Sequence, residues 1–173
     1  MDSYIKLAKQ AIEAYIKNKA LLSVPLDLPE EMLKNQAGVF VSLHLKDDSL
    51  RGCIGTFAPV QENIAEEIIQ NAIAAATKDP RFPPIKSEEL LEIVYSVDIL
   101  SASISISKDK LSDPKKYGLI VSTKDNRRGL LLPDLPGVDT IEEQIRICRL
   151  KAGIGPQEPV SYQIFTVERH AEH

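Results

Sequence analysis

The sequence predicts an α/β (α+β) protein built on a mixed, largely antiparallel sheet with packed helices. Three observations lead there. Val39 to Leu45 alternates apolar and polar residues with the two-residue period of a half-buried strand. Ser3 to Lys19 carries Ile5, Ala8, Ile12 and Tyr15 or Ile16 at helical spacing, after Asp2 or Ser3 as an N-cap. Segments of both kinds are interspersed along 173 residues with no internal repeat and no long linker. With 43% apolar residues, the chain can bury a sizeable core without disulfide or metal staples.

The remaining elements follow in order. Asp27 caps a short helix starting at Pro29. Asp47-Asp48 turns the chain into a second strand, Leu50 to Phe57. A tight hairpin pairs Leu45 with Leu50, Leu43 with Gly52 and Val41 with Ile54, which sets His44 opposite Arg51, Ser42 opposite Cys53 and Phe40 opposite Gly55 on the other face. Pro59 opens a helix whose stripe is Ile64, Ile68, Ala72 and Ala75-Ala76, ended by Asp79-Pro80, so that its N-terminus follows Gly55 within a few residues. Ser87 to Leu91 reads as one helical turn. Ile93 to about Ile106 reads as one long strand with Asp98 at an edge or paired. Leu119 to Thr123 and Gly129 to Pro133 form a second hairpin around the charged turn Lys124 to Arg128. Thr140 and Glu143 make a capping box for a helix through Ala152, closed by Gly153, and Tyr162 to Glu168 is a last strand.

Composition excludes several classes of function. The net charge of -4 argues against a protein that tracks phosphates, so nucleic acid is not an expected partner. A mild asymmetry remains, since residues 108–151 hold ten Lys/Arg against seven Asp/Glu. Within it, Lys124, Arg127, Arg128, Arg146, Arg149 and Lys151 read either as a solvated surface or as a basic patch. No run approaches the roughly 18 apolar residues of a membrane span, and Asp2 follows Met1 where an export signal would be basic. Cys53 and Cys148 are too few and too far apart for a disulfide framework or a zinc pair, which points to free thiols in the reducing cytoplasm. His170 and His173 lack a third ligand and read as a frayed tail, and neither metal nor cofactor is expected. Gly153-Ile154-Gly155 follows a helix and so lacks the context of a phosphate loop.

Chemistry concentrates at Arg51-Gly52-Cys53-Ile54-Gly55. Beside Arg51 and a helix N-terminus, Cys53 is a candidate thiolate nucleophile. The competing reading makes it a small buried side chain in a crowded strand whose glycines allow close backbone approach. His44 is a candidate base. Asp79 is a candidate acid and Arg81 an anion clamp, unless the pair merely terminates the helix.

Leu50-Arg51-Gly52-Cys53-Ile54-Gly55, Asp79-Pro80-Arg81-Phe82, Tyr117-Gly118, Gly129-Leu130-Leu131-Leu132-Pro133 and Lys151-Ala152-Gly153-Ile154, in that order, resemble the signature segments of AMMECR domain proteins over nearly the whole chain. The resemblance implies one domain over 1–173 with a larger and a smaller lobe, the smaller within roughly 80–135. Bacterial and archaeal members are often called protein A of the AmmeMemoRadiSam system and are encoded near a Memo-like protein and a radical SAM protein, which makes those two the expected partners. It places the functional surface at the Arg51–Gly55 element and brings no reaction with it. The chain lacks the three-cysteine cluster motif of a radical SAM protein itself. Two functions therefore stand. One is an enzyme component in which Cys53 attacks or carries a group, Arg51 holds an anionic substrate with Gly52, Ile54, Gly55 and Arg81, and His44 or Asp79 moves protons. The other is a non-catalytic partner module built on the same turn.

Overall fold

The structure is a computed structural model that describes residues 2–172. It divides into two units, residues 2–100 with 168–172 and residues 101–167. The smaller unit thus lies later in the chain than the 80–135 window.

In the first unit, the Asp2 carboxylate accepts from the N–H groups of Tyr4 and Ile5 and starts α1 (Ser3–Asn18), whose buried stripe is Ile5, Ala8, Ile12 and Ile16. A short helix follows, α2 (Glu30–Lys34), with Pro29 in the capping position and no side-chain cap. Asp27 does not cap it, contrary to the sequence reading.

Strands β1 (Gly38–Leu45), β2 (Leu50–Gly55), β3 (Ile93–Leu100) and β8 (Val167–Ala171) form a sheet in the order β2-β1-β3-β8. Val39, Val41 and Leu43 of β1 are fully buried against α1 and α3 (Ile64–Thr77), while Phe40, Ser42 and His44 lie on the opposite face. Burying each such aliphatic side chain stabilises the unit by about 1.5–3 kcal/mol.

The expected hairpin register holds from Phe40↔Gly55 to Leu43↔Gly52, and then a bulge intervenes so that His44 pairs with Leu50. His44 is therefore not opposite Arg51. An extra residue on one strand leaves that residue unpaired, and here it is Arg51, freed from the ladder to reach sideways.

Helix α3 begins at Ile64, not at Pro59. Asn63 caps it by accepting from the N–H of Glu66. Residues 56–63 are held as a loop by the buried carboxylate of Glu67, which accepts from Thr56 Oγ1 (2.6 Å), Val60 N (2.9 Å) and Gln61 N (2.8 Å). The N–H groups of Val60 and Gln61 are thus satisfied by a helix residue, which removes their need for a helical turn there.

The long strand expected from Ile93 to Ile106 is two strands. β3 ends at Leu100 in the first sheet and β4 (Ile104–Ile106) belongs to the second. The expected Tyr162–Glu168 strand divides likewise at Thr166, into β7 (Ser161–Phe165) and β8. Alternation reveals an extended backbone but not a change of hydrogen-bonding partner.

The second unit holds the sheet β4-β7-β5-β6, with β5 (Gly118–Ser122) and β6 (Arg128–Leu131) joined as the expected antiparallel hairpin. Helix α4 (Ile141–Lys151) packs on it through Ile145 and Cys148, over Leu119, Val121 and Leu131. Thr140 accepts from the N–H of Glu143, which is half of the expected capping box; the Glu143 carboxylate pairs with Arg146 instead. Gly153 closes the helix at φ +64°.

At Gly52 the sheet stands close against α3. A Cβ on this glycine would stand 2.3 Å from the Ala75 carbonyl oxygen. Gly52→Ala is expected to destabilise the protein by about 1–3 kcal/mol, read as a lower urea midpoint; an unchanged midpoint would show that α3 yields freely there.

Candidate functional site

Strand β2 is an edge strand, paired only with β1 in the sheet order. Backbone groups on a free edge need partners or they recruit other chains. Here residues 79–89 supply them without forming a strand. Asp79 Oδ2 accepts from Cys53 N (2.9 Å), and Arg81 Nη2 donates to Cys53 O (3.4 Å), so two side chains imitate a neighbouring strand. Asp79 and Arg81 are themselves joined, Nε to Oδ1 at 3.0 Å and Nη2 to Oδ2 at 2.7 Å. The bulged Arg51 makes the next tie, a forked pair to Glu89 (2.8 and 3.2 Å) plus a bond from Nη1 to the Pro83 carbonyl (3.0 Å). Only 11% of the Arg51 side chain is exposed, and its fork holds the Glu89 carboxyl below its ordinary pKa.

The Cys53 side chain is half-buried on the helix-free face of the sheet, where Ser42 Oγ donates to Sγ at 3.2 Å. Burial pushes the thiol up; the Ser42 bond and the Arg81 charge oppose this, while Asp79 and Asp98 reinforce it. The helix beside it acts in the same direction. Gly52 lies against Ala75, in the last turn of α3, so the element approaches the carboxyl end of a helix and not its N-terminus. That end carries partial negative charge and disfavours a thiolate. The expected dipole support for Cys53 is therefore reversed, because the 56–63 loop carries the chain away before α3 begins.

The same helix-free face carries Ser96, paired with Ser42, and Asp98, paired with Phe40. Asp98 is 3% exposed and lies in a central strand, held in a forked pair by Arg169 of β8 at 2.8 and 3.2 Å. Asp98 in the middle of a strand was legible as needing a partner, but Arg169 was not legible as that partner, since it lies 71 positions away. No hydrogen bond joins His44 to Cys53 among the described residues. Gly55 admits the Phe40 ring, and Ile54 points to the core.

His170 is not a frayed residue. It sits in β8, stacks on Tyr4 with ring centroids 3.9 Å apart and contacts Asp2 Oδ2 at 2.9 Å; His173 lies outside the described residues. Among the described residues, no group of three or more His, Cys, Asp or Glu could hold a metal, and no helix is long and apolar enough to cross a membrane. Cys148 is fully buried in the second unit, its thiol pushed up to about 12 by that burial. Of the basic residues, Arg127 pairs with Asp125 and Glu158, Arg146 pairs with Glu143, and Lys151 donates to Leu130 O.

An α+β chain whose first sheet has an edge strand sealed by an Asp-Pro-Arg segment, with a thiol on its helix-free face, defines the class. A family model described as AMMECR1 matches residues 5–170, and the chain belongs to that family. It is similar to a protein of Thermotoga maritima, 53% identical over 168 residues that cover 96% of each chain. It is also similar to Protein CA_C1420 of Clostridium acetobutylicum, 48% identical over 172 residues that cover 99% of this chain but 36% of that longer protein. The crystal structure of uncharacterized protein PH0010 from Pyrococcus horikoshii has the same fold, with a TM-score of 0.89 at 34% identity, covering 98% of this chain and 90% of that one.

Arg81 holds the Asp79 carboxyl well below the usual carboxylate range. A carboxylate with a depressed folded-state pKa stabilises the fold above its unfolded value of about 3.9, and this contribution is lost as pH falls below it. Asp79→Asn is expected to cost about 1–3 kcal/mol at neutral pH, with the gap to wild type narrowing on acidification below about pH 4. Denaturant titrations of both proteins across that range measure it, and a gap independent of pH would contradict the ion-pair account.

Proposed function

We propose that this protein is a non-catalytic binding module whose recognition surface is the helix-free face of the first sheet, around Ser42, Cys53 and Ser96. The observation that carries this reading is the commitment of the motif's charged groups to structure. Arg51 is spent on Glu89 and the Pro83 carbonyl, and Asp79 and Arg81 on each other and on the Cys53 backbone. The half-buried thiol is left as a neutral group that accepts from the Ser42 hydroxyl. A nucleophile needs a lowered pKa or an adjacent base, and neither accompanies Cys53. The family resemblance supports a Memo-like protein and a radical SAM protein as the partners to try first.

Alkylation of Cys53 in a Cys148→Ala background is the direct test. Its pH profile is expected to titrate above the value for an unfolded thiol, about 8.5. Tagged wild type should capture the Memo-like or the radical SAM protein from a mixture of purified components, Cys53→Ser should do so equally well, and Ser96→Arg should lose capture. A titration below the unfolded value, together with loss of the assembly's activity in Cys53→Ser, would replace this reading with that of an enzyme component.

A further inference from the structure

We propose that a cleft beside α4 in the second unit binds a small carboxylate with an apolar body. The cleft has a volume of about 400 Å³, within the range of small-molecule sites. Ile145 and Ile154, both nearly buried, line it together with Tyr162, and Leu150 contributes a side chain that is 65% exposed. An apolar wall of this kind gains from covering by a hydrocarbon or aromatic group, roughly in proportion to the area removed from water.

Charge selects the other half of the ligand. Lys108, Arg146 and Arg149 line the same cleft against one carboxylate, Glu142. Arg146 is already neutralised by Glu143. Arg149 is not: its half-buried guanidinium is held from Nη1 by the carbonyl oxygens of Gly155 (2.5 Å) and Glu158 (3.0 Å), and no carboxylate pairs with it among the described residues. The Lys108 ammonium likewise has no hydrogen bond or ion pair among the described residues. Half-buried cations ordinarily find a counter-charge. Carbonyl oxygens fix the position of the Arg149 guanidinium without cancelling its charge, which leaves that charge available to an incoming anion. A carboxylate fits the planar donor set of a guanidinium, and an attached apolar group fits Ile145, Ile154, Tyr162 and Leu150.

Protein-observed NMR of the full chain with 4-phenylbutyrate, 4-phenylbutanamide and inorganic phosphate tests this. Phenylbutyrate should shift the signals of Ile145, Leu150, Ile154 and Tyr162 saturably, and the neutral amide should bind at least about tenfold more weakly. Phosphate should not compete at comparable concentration. Leu150→Glu, on the exposed side of α4, and Lys108→Glu should each weaken phenylbutyrate by about five- to tenfold with unchanged circular dichroism. Equal binding of acid and amide would remove the role of charge, and effective competition by phosphate would reduce the cleft to a bare anion site. Shifts outside the cleft, or no saturation up to about 10 mM, would overturn the site altogether.

Discussion

The free edge of β2 is the constraint on which the first unit depends. A strand at the end of a sheet exposes backbone donors and acceptors that must be satisfied or shielded, and this chain satisfies Cys53 with one buried carboxylate and its guanidinium partner. Asp79 thereby fixes where α3 must stop. Residues 79–89 then run along the strand, with Pro83 and Glu89 placed where Arg51 can reach them. Gly52 belongs to the same arrangement, because a glycine there lets the last turn of α3 stand close behind the strand.

This arrangement changes the chemical meaning of the Arg-Gly-Cys-Ile-Gly element. Read along the chain, an arginine beside a cysteine ahead of a helix suggests an activated thiolate. In space the arginine turns away to Glu89, the helix presents its carboxyl end, and Asp79 contacts the backbone of Cys53 while Ser42 takes the sulfur. What remains on the helix-free face is the Ser42 and Ser96 hydroxyls, a neutral thiol and the Asp98–Arg169 pair.

Charge is handled differently in the second unit. Arg127 and Arg146 find carboxylates nearby, and their positive charge is locally cancelled. Arg149 is oriented by carbonyl oxygens of the segment after α4, where Gly153 turns the chain back in a left-handed conformation. The basic stretch of the sequence is therefore not a uniform patch. Arg127, Arg146 and Lys151 are engaged by neighbouring groups, whereas Arg149 is held by carbonyl oxygens alone.

The sequence by itself determined the local periods and, to within a residue, both ends of α1, β1 and α4. Ile5, Ala8, Ile12 and Ile16 were legible as a buried stripe, and Val39, Val41 and Leu43 as one face of a strand. Even the pairing of Ser42 with Cys53 was legible, because alternation and a tight turn leave few registers. Only the tertiary structure decided the bulge that separates His44 from Arg51, the loop that delays α3 to Ile64, and the breaks at 101–103 and Thr166 where strands change sheets. The bulge and the loop are each held by a partner outside the segment itself: Glu89, 38 positions on, for Arg51, and Glu67, in the helix that follows, for the N–H groups of Val60 and Gln61. Periodicity reports how a segment presents its own faces, whereas the partner of a charge or of a backbone donor is chosen by the fold, and the candidate site is made almost entirely of such choices.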